Sequence, residues 1–502
     1  MSSNLFAAFA AHFPARLDSA LLELPGGARL SYADMLAGSG RLATLLTGLG
    51  LKRGDRVSVQ AEKSVNFLLL YLACLRGGFA FHPLNPGYTP AELQYFLENA
   101  EPALFVGDPA ASAALALAET LNIPHRYTMD AVGEASLAAA AASLSAEFET
   151  VAVAPDDMAA LLYSSGTTGR PKGIMLSHAN LAANARALAQ AWAFTADDVL
   201  LHALPVFHVH GLFIALGCTL MSGSRAVWLP RFENAAVLAA LPRCTVMMGV
   251  PTFYTRLLAD PAFTSGLTGN IRVFISGSAP LLSETFSAFE DRIGQRILER
   301  YGMTETSVIA SNPLHGERRA SAVGPTVAGM QIRLVDDAGM PVADGEVGHV
   351  QVRGESVFRG YWRMPEKTRE DISPEGFFNT GDDGRVDAEG YLYLVGRSKD
   401  LIITGGLNVY PSEVEAVLDR LPQVLESAVI ALPHPDFGEQ VAAVIVPRVA
   451  GEFDEAQARA AVKTELAGYK LPKSYLLVDA LPRNTMGKVQ KNLLRQQFQN
   501  GA

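Results

Sequence analysis

Apolar and polar positions follow two alternating periods along the first part of the chain. Ser31 precedes a run with helical spacing, residues 56–62 have the apolar character of a buried strand, and residues 65–75 resemble a buried helix. A repeated succession of strands and helices predicts a layered α/β architecture. The alanine-rich stretch 110–142 predicts helices on the surface and carries no residues that suggest chemistry.

The same alternation continues through the middle of the chain. Residues 158–162 form an apolar run that predicts a strand, and Ser177 is a suitable N-cap for a helix with regularly spaced apolar residues. Residues 247–253 and 273–278 each predict a strand that runs into a turn. Ligands of α/β folds bind at the carboxyl ends of strands, so the second of these turns is a candidate binding segment.

The end of the chain predicts a smaller α/β unit. Ser412 followed by Glu415 predicts a capping box at the start of a helix with one apolar face. Strands are predicted at residues 427–432 and 441–446. The pattern therefore supplies a helix and two strands that can pack on one another without the preceding chain.

Chain length supports a division into domains. At 502 residues the chain exceeds what one compact core usually holds, because domains of about 100–200 residues are the common unit. We place the boundary at Lys399, which gives an N-terminal domain of residues 1–398 and a C-terminal domain of residues 399–502. A hydrophobic fraction of 49% with 18% charged residues is typical of a folded globular protein.

Charge and cysteine content exclude several classes of protein. The formal net charge of -10 argues against a general nucleic-acid binder, which needs a basic face. Cys74, Cys218 and Cys244 lie in apolar surroundings without a CxxC pair, as expected of buried thiols in a reducing compartment. The amino terminus lacks the cationic start of a secretory signal, and no apolar stretch reaches the ~20 residues of a membrane helix. We therefore expect a cytoplasmic protein that does not enter the membrane.

The strongest local signal is the glycine-rich stretch from Tyr163 to Gly173, Tyr-Ser-Ser-Gly-Thr-Thr-Gly-Arg-Pro-Lys-Gly. Its glycines let backbone amides approach phosphate oxygens, its hydroxyls can donate hydrogen bonds, and Arg170 and Lys172 supply positive charge. A Walker A loop needs a lysine followed by serine or threonine, so P-loop NTPases are disfavoured. The stretch predicts a polyphosphate site, and a plain surface loop is the simpler alternative.

Later segments carry further polar groups that suit a nucleotide. Residues 276–279, Ser-Gly-Ser-Ala, follow a predicted strand and offer backbone groups beside a flat ring. Thr304 can hydrogen-bond a phosphate, and Glu305 can hold Mg²⁺. Asp382 is expected in a turn, where a carboxylate can accept both ribose hydroxyls, and Lys488 lies in a glycine-containing segment. Taken singly, these residues have ordinary alternatives: a helix cap, an Asx turn and a solvated lysine.

Two histidines, His208 and His210, lie between apolar flanks. Their spacing is compatible with a metal site, but no carboxylate or cysteine cluster accompanies them nearby. Packing in the core is a second alternative. We favour a third interpretation, in which both line a substrate pocket.

Together and in this order, the motifs resemble the adenylate-forming superfamily of acyl-CoA synthetases, adenylation domains of peptide synthetases, and luciferases. The resemblance covers nearly the whole chain. It implies a large multi-layer N-terminal domain, a small mobile α/β C-terminal domain and an active site between them. It also implies two steps: a carboxylate attacks the α-phosphorus of ATP to give an acyl adenylate and pyrophosphate, and the thiol of coenzyme A then displaces AMP.

By the same resemblance, individual residues take roles in these two steps. Lys488 is the catalytic lysine, Thr304 contacts the α-phosphate, Glu305 binds Mg²⁺, and Lys399 is the hinge of the C-terminal domain. The ATP site comprises Ser164, Ser165, Gly166, Thr167, Thr168, Gly169 and Lys172 at the β- and γ-phosphates, Gly277, Ser278 and Ala279 beside adenine, Tyr301 and Gly302, and Asp382 with Arg397 at the ribose. Gly405 and Gly406 line the path of the pantetheine arm.

The acid pocket looks most like that of malonyl-CoA or methylmalonyl-CoA synthetases. Residues 204–213, 249–256 and 484–491 carry this likeness. By analogy the pocket is small, and its lining residues are His208, Val209, His210, Thr252, Ser276 and Val308. Short or medium-chain monocarboxylic acids stay as an alternative substrate class, as does an amino acid activated by a stand-alone adenylation enzyme.

One departure from the resemblance bears on the substrate. Some malonate-activating members carry an arginine on the helix after Ser-Gly-Ser-Ala-Pro, whereas residues 281–290 contain no cation here. A second carboxylate buried without a partner is costly. A dicarboxylate therefore requires Arg256, Arg292, or a charged His208 or His210 to reach the site.

The expected partners are a small carboxylic acid, ATP and coenzyme A, with neither nucleic acid nor a membrane surface. A lysine acetyltransferase acting on Lys488 would silence adenylation, because acetylation removes the charge. A luciferase would need a luciferin. A regulator that had lost catalysis is disfavoured because Lys488, Glu305 and Asp382 are all present.

Overall fold

A computed structural model of the chain describes residues 3–132, 135–164, 171–397, 400–404, 407–434, 437–466, 468–484 and 487–499. Its strands in chain order are β1 Ala20–Glu23, β2 Arg29–Ser31, β3 Arg56–Gln60, β4 Ala80–Pro83, β5 Leu104–Gly107, β6 His125–Thr128, β7 Met158–Ser164, β8 Lys172–Ser177, β9 Val199–His202, β10 Arg225–Trp228, β11 Val246–Gly249, β12 Val273–Ser276, β13 Leu298–Met303, β14 Ser307–Ser311, β15 Met330–Val335, β16 Gly348–Gly354, β17 Phe378–Val386, β18 Leu392–Arg397, β19 Ile402–Thr404, β20 Leu407–Val409, β21 Val424–His434, β22 Gly438–Pro447 and β23 Ser474–Leu477.

The α-helices in chain order are α1 Leu5–Ala10, α2 Tyr32–Gly48, α3 Val65–Gly77, α4 Pro90–Ala100, α5 Ser112–Thr120, α6 Ser136–Ala141, α7 His178–Ala191, α8 Leu216–Ser222, α9 Asn234–Ala240, α10 Pro251–Leu258, α11 Ser283–Ile293, α12 Pro365–Asp371, α13 Pro411–Leu418, α14 Glu455–Glu465 and α15 Lys491–Gln499. A π-helical segment, His210–Ala215, precedes α8. Short 3₁₀ turns occur at Pro25–Gly27, Leu241–Arg243 and Gly468–Lys470.

Two helix starts predicted from the sequence are confirmed. The Ser31 hydroxyl accepts a hydrogen bond from the backbone N–H of Asp34 at the start of α2. The Ser177 hydroxyl accepts one from Asn180 at the start of α7. In both cases the third helical residue bonds back to the cap, which satisfies donors that every helix leaves open at its N terminus.

The capping box predicted at Ser412 is wrong. Helix α13 begins one residue earlier with a proline, so Ser412 already lies in the first turn. Its hydroxyl donates to the carbonyl of Val395 in β18. The Glu415 carboxylate accepts from the backbone N–H of Val429 at 2.7 Å and pairs with Lys491 at 2.6 Å. Both side chains bond to other elements, which a local motif cannot reveal.

Other differences concern the ends of elements. Residues 247–253 were expected to form a strand that runs into a turn. The strand β11 ends at Gly249, and a helix, α10, starts at Pro251, because proline suits the first helical position and cannot donate to a sheet. The alanine-rich stretch contains α5 and α6 as predicted, and also strand β6 between them.

The described strands form four sheets, and the predicted α/β class is confirmed. The first has the order β14-β13-β12-β11-β9-β10-β1-β2, and the second β6-β5-β3-β4-β7-β8. The third is antiparallel, β15-β16-β17-β18. The fourth, near the C terminus, has the order β20-β19-β22-β21 with β23 beside β22.

Buried side chains divide between one large core and smaller ones. The large core runs through the first three sheets and contains residues from Leu5 to Leu392. In the fourth sheet alternate residues of β22 point to opposite faces. Ala443 and Ile445 pack with α13 and α14, whereas Ala442 and Val444 pack with α15. The predicted domain boundary, Lys399, lies outside the described residues.

The three cysteines are buried and unpaired with one another, as predicted. Burial raises the pKa of each thiol. Each therefore stays protonated and behaves as a small apolar side chain.

Candidate functional site

Four neighbouring strands of the first sheet end at the same edge. Strands β13, β12, β11 and β9 are parallel to one another, and β10 continues the sheet on the other side of β9. The chain therefore adds β10 on one side of β9 and then β11, β12 and β13 on the other side. In α/β folds, ligands bind in the crevice at the place where the strand order changes direction in this way. The sequence-predicted residues that follow these four carboxyl ends are His208, Val209, His210, Thr252, Gly277, Ser278, Ala279, Thr304 and Glu305.

Two motifs that lie 81 residues apart meet beside this edge. The Tyr301 hydroxyl donates to the carboxylate of Asp382, and both side chains are buried. Asp382 pairs in register with Arg397 across β17 and β18. The expectation of a turn at Asp382 is wrong: it lies inside β17, where its backbone N–H donates to the Thr380 hydroxyl at 3.1 Å.

Lys172, at the end of the glycine-rich stretch, and Glu305 both lie near one tyrosine, Tyr361. Lys172 Nζ lies 3.2 Å from the hydroxyl of Tyr361 and 3.6 Å from the carboxylate of Asp371. Burial, and secondly the charge of Glu305, raises the pKa of Tyr361. Tyr361 was not singled out from the sequence, because no local pattern marks it.

Strands β7 and β8 flank the glycine-rich stretch as an antiparallel pair, with Tyr163 opposite Gly173. A P-loop instead connects a strand to a helix. The return strand β8 therefore agrees with the exclusion of P-loop NTPases. A side chain at Gly173 would come within 3.0 Å of Trp362 Cβ, so the strand needs glycine where the chains pack closely.

The two predicted pocket histidines are electrically neutral at pH 7. Desolvation, and secondly the charge of Arg300, lowers the pKa of His208 to about 4. The same two causes, in the same order, hold the pKa of His210 well below its usual value. His210 Nδ1 lies 3.2 Å from the hydroxyl of Ser278. Neither imidazole supplies the cation that a second substrate carboxylate would need.

Several buried polar atoms of this region have no hydrogen-bond partner among the described residues. They are His210 Nε2, Ser276 Oγ, and Nε and Nη2 of Arg300. A buried donor or acceptor left unpaired costs about 1–3 kcal/mol, so a group of them marks a place where a polar ligand binds. Val308, predicted to line the same pocket, is buried on β14.

The arginines proposed from the sequence for a dicarboxylate do not line this pocket. Arg256 is exposed and lies over the ring of Phe232, and Arg292 is exposed and donates to the carbonyl of Leu258 at 2.6 Å. Arg300, within β13, is the cation beside the histidines. The feature that could have marked Arg300 is a charged side chain within a strand, β13, whose residues are mostly buried.

The predicted catalytic lysine belongs to a turn that touches the acid pocket. Asn484 and Lys488 close this turn: the N–H of Asn484 donates to the Lys488 carbonyl at 2.9 Å, and the N–H of Lys488 donates to Asn484 Oδ1 at 3.0 Å. A Cβ atom on Gly487 would lie 3.3 Å from Thr252 Cγ2. The C-terminal domain therefore presents the lysine turn to α10 of the large domain.

Some predicted site residues lie outside the described residues: Ser165, Gly166, Thr167, Thr168, Gly169, Lys399, Gly405 and Gly406. For Ser164 and Arg397 the structure describes the backbone alone. Gly302, in contrast, has a clear reason to be glycine, because a Cβ there would meet the Ser307 carbonyl at 1.9 Å.

Two kinds of feature are absent from the described residues. No group of three or more His, Cys, Asp or Glu side chains is placed to hold a metal ion, so the metal interpretation of the histidine pair gains no support. No helix in this part of the chain has the length and apolar character needed to cross a bilayer.

Two protein-family models match the chain and together contain most of the motifs. A model described as AMP-binding enzyme matches residues 6–362, and the AMP-binding enzyme C-terminal domain matches residues 413–488. The sulfoacetate–CoA ligase of Cupriavidus necator is 37% identical over 94% of this chain and 93% of its own length. The malonate–CoA ligase of Arabidopsis thaliana is 33% identical over 94% and 83%.

Among solved structures, the chain is similar to MatB from Rhodopseudomonas palustris. Sequence identity is 48%, and the match covers 100% of this chain and 99% of MatB. The TM-score is 0.97 against the ATP-bound crystal structure and 0.86 against the apo one. The fold thus agrees better with the ATP-bound crystal structure of MatB than with the apo one. The chain belongs to the AMP-binding enzyme family, and it is an ATP-dependent ligase that joins a carboxylic acid to coenzyme A.

Proposed function

We propose that the acid is malonate or methylmalonate, so that the products are the corresponding acyl-CoA, AMP and pyrophosphate. The observation that carries the proposal is the cluster of unpaired buried donors in the acid pocket, which suits an acid with a second polar group. Two relatives support it, because malonate and sulfoacetate both carry a second anion close to the reacting carboxylate. A purely apolar acid would leave those donors unsatisfied.

In the first step the reacting carboxylate oxygen attacks the α-phosphorus of ATP. A new O–P bond forms, the bond to the bridging oxygen breaks, and pyrophosphate leaves. Lys488 neutralises the charge that develops between the carboxylate and phosphate oxygens, and Thr304 donates to the α-phosphate. Preorganised donors of this kind each contribute about 10²- to 10³-fold in rate.

The remaining nucleotide contacts follow from the same assignment. The glycine-rich stretch and Lys172 hold the β- and γ-phosphates, residues 277–279 pack against adenine, and Asp382 with Arg397 holds the ribose. Glu305 is a buried carboxylate at the end of β13, which fits an oxygen ligand for Mg²⁺. When bound, that ion would supply positive charge at the phosphates.

In the second step the thiol sulfur attacks the acyl carbon, the bond to the AMP oxygen breaks, and the thiol proton is lost. Lys488 must first withdraw, because its turn lies against the acid pocket. Rotation about Lys399 removes it and brings Gly405 and Gly406 to the pantetheine path. The two TM-scores against MatB support such a rearrangement, since the ATP-bound and apo forms of that neighbour differ in shape.

A Lys488→Ala variant tests the first step. We expect acid-dependent exchange of pyrophosphate into ATP to fall by about 10²-fold or more, because the charge at the reacting oxygens is lost. Thioester formation from supplied malonyl adenylate should stay largely intact, since that step does not use the lysine. Unchanged pyrophosphate exchange would refute the assignment.

A panel of acids tests the substrate. Malonate, methylmalonate, propionate and butyrate are compared by AMP release with and without coenzyme A. Higher kcat/KM for malonate or methylmalonate is the expected result, and a preference for propionate or butyrate contradicts the proposal. CoA-independent AMP release with an amino acid would indicate an adenylation enzyme instead.

Acetylation is a further part of the proposal. The Lys488 side chain is exposed on its turn, so an acetyltransferase can reach it. The modification removes the positive charge and should silence the first step alone. Mass spectrometry of the purified protein, followed by assay of each half-reaction before and after deacetylation, measures this effect.

A further inference from the structure

A buried lysine lies beside the carboxyl end of β9 and belongs to none of the motifs singled out from the sequence. Lys63, just before α3, is 7% exposed, and no carboxylate among the described residues pairs with it. Burying an ammonium ion is costly, because the ion loses its hydration. An apolar side chain would fill the same space at a lower cost, so packing alone does not account for this residue.

Three acceptors at the end of β9 hold the Lys63 amine. Nζ lies 2.8 Å from Nδ1 of His202, 2.9 Å from the His202 carbonyl and 3.1 Å from the Leu204 carbonyl. The centroid of the Trp228 ring lies 4.1 Å from the same atom. An aromatic face stabilises a cation. The amine is therefore fully solvated by the protein although it lacks a counter-ion.

The partners of His202 determine the protonation of both side chains. His202 Nε2 lies 2.9 Å from the carbonyl of Gly211, and a carbonyl can only accept, so Nε2 carries the hydrogen. Desolvation, and secondly the charge of Lys63, holds the pKa of His202 well below its usual value, so Nδ1 is an acceptor. All three contacts of Lys63 are then acceptors and require the three hydrogens of an ammonium ion. These bonds oppose the effect of burial, which lowers the pKa of the lysine.

The same hydrogen bonds hold both ends of the segment 204–211. Lys63 bonds directly to Leu204 at the start of the segment. Through His202 it is linked to Gly211 at the end of the segment. Between these two ends lie three of the predicted pocket residues: His208, Val209 and His210.

The segment is folded so tightly that its two ends touch. A Cβ atom on Gly211 would lie 2.0 Å from the carbonyl of Pro205. Gly211 also belongs to the π-helical segment, where its carbonyl accepts from the backbone N–H of Leu216. Single π-helical turns of this kind are frequent at functional sites. A shift at either end is therefore passed on to the residues between them.

We propose that Lys63 is a positioning residue of the acid pocket, whose ammonium ion fixes the segment 204–211 and thereby the place where the acid binds. The inference rests on the proposed function, which puts the acid beside His208 and His210. Without the ammonium ion, two carbonyls and His202 Nδ1 would lose a buried donor, and the segment would move to find others. The adenine and ribose sites follow other strands, so such a movement should leave them in place.

The test compares Lys63→Met with the wild type on malonate, methylmalonate, propionate and butyrate, by acid-dependent exchange of pyrophosphate into ATP. For the acid that the wild type uses best, kcat/KM should fall roughly 10- to 150-fold, as for loss of a hydrogen bond to a charged group. A higher KM for the acid should account for most of the fall. The KM for ATP should stay at the wild-type value, which general damage to the domain would not allow.

Arg76→Met is the matched control. Arg76 is another buried cation, 5% exposed, and its guanidinium donates to the carbonyls of Leu36 and Phe148 at 2.7 and 2.6 Å. It lies at the other end of α3, a helix of 13 residues and thus about 20 Å long. Arg76→Met should lower the midpoint of thermal unfolding as Lys63→Met does, but it should keep the KM for the acid. A raised acid KM in Arg76→Met, or equal rises of the acid and ATP KM in Lys63→Met, overturns the inference.

A second variant, His202→Asn, serves if Lys63→Met does not fold. The asparagine oxygen can take the place of Nδ1 and accept from Lys63, but the shorter side chain does not reach the Gly211 carbonyl. The value of kcat/KM for the acid should fall roughly 2- to 12-fold, as for loss of one neutral hydrogen bond, with the KM for ATP unchanged. An unchanged KM for the acid in this variant also contradicts the role of Lys63.

The outcomes distinguish this inference from the proposed function. If the wild type prefers malonate or methylmalonate and Lys63→Met keeps the KM for that acid, the function stands and the role of Lys63 falls. If the wild type prefers propionate or butyrate and Lys63→Met raises the KM for that acid, the role stands and the malonate proposal falls. If the wild type prefers propionate or butyrate and Lys63→Met keeps its KM, both are wrong.

Discussion

At the scale of single residues, the lack of a side chain at Gly277 makes room for the guanidinium of Arg300 beside the acid pocket. Gly277 has no Cβ, and the guanidinium of Arg300 occupies the space where one would be. The glycine was predicted from the sequence as a neighbour of adenine. Its contact with Arg300 adds a second reason for glycine, one that depends on a residue of the next strand in the sheet.

We expect Gly277→Ala to lower kcat/KM for malonate. The added methyl group displaces the guanidinium, and overpacking of this kind typically costs about 1–3 kcal/mol, which corresponds to roughly 5- to 150-fold. Initial rates over a range of malonate concentrations measure the effect. Gly269→Ala is the matched control, because nothing lies within 4 Å of a Cβ at that position. Equal losses in the two variants would show that the close contact is unimportant.

At the scale of elements, helix α7 ties the sheets together beside the acid pocket. Asn180 Nδ2 donates to the carbonyls of Glu355 and Val357 at 2.7 and 2.8 Å, and Asn184 Nδ2 donates to the carbonyl of Val308 at 3.1 Å. The N-terminal cap of this helix is therefore part of the support of the pocket wall. Ser177, the cap, is fully buried.

Ser177→Ala should destabilise the large domain by about 1–2 kcal/mol, the upper part of the range for loss of an N-cap, because the amide of Asn180 becomes a buried donor without a partner. The midpoint of the corresponding unfolding transition in urea measures the change. Ser31→Ala removes a capping box that is exposed to water, so its midpoint should move less. A larger shift for Ser31→Ala contradicts this ranking.

Elements of this kind show what sequence patterns can and cannot predict. The caps at Ser31 and Ser177 were predictable because both partners lie within three residues of each other. Ser412 fits the same local pattern, yet its hydroxyl bonds to β18, and only the folded chain brings β18 there. Asp382 likewise follows a glycine that suggested a turn, whereas pairing with β18 keeps it in a strand.

The residues of the candidate site also divide into those that could be predicted from the sequence and those that could not. Residues in compact motifs, such as Thr304 and Glu305, could be named from the sequence because a few adjacent groups suggest their chemistry. Arg300 belongs to the same segment and was missed as the pocket cation. Its importance lies in the absence of a counter-ion among the described residues, and such an absence depends on all of the surrounding side chains.

At the scale of the whole molecule, the two domains meet where the lysine turn touches α10. Gly487 and Thr252 are 235 positions apart in the numbering of the chain, yet a Cβ on the former would contact the side chain of the latter. This contact belongs to the arrangement that resembles ATP-bound MatB. A covalent link at this contact would hold the two domains in the arrangement proposed for the first step of the reaction.

A double variant, Thr252→Cys with Gly487→Cys, should form a disulfide under mild oxidation, because a Cβ on Gly487 would lie 3.3 Å from Thr252 Cγ2, a position that the sulfur of a cysteine can take. The oxidised protein should retain acid-dependent pyrophosphate exchange and lose thioester formation. A reducing agent should restore the second activity. Native cysteines do not interfere, since Cys74, Cys218 and Cys244 are buried.

Each single cysteine variant is the control for the double one, because Gly487 has a φ of 76° that strains any other residue. If oxidised and reduced double variants form thioester equally well, the proposed domain rotation is wrong.

The turn that carries Lys488 is closed by hydrogen bonds between its own two ends. None of those bonds involves the large domain, so none has to break when the lysine departs. The turn can thus travel as a preassembled unit, and each catalytic cycle should return the amine to the same orientation without a local folding step. The time needed to switch between half-reactions would then be set by the swing of the domain as a rigid body.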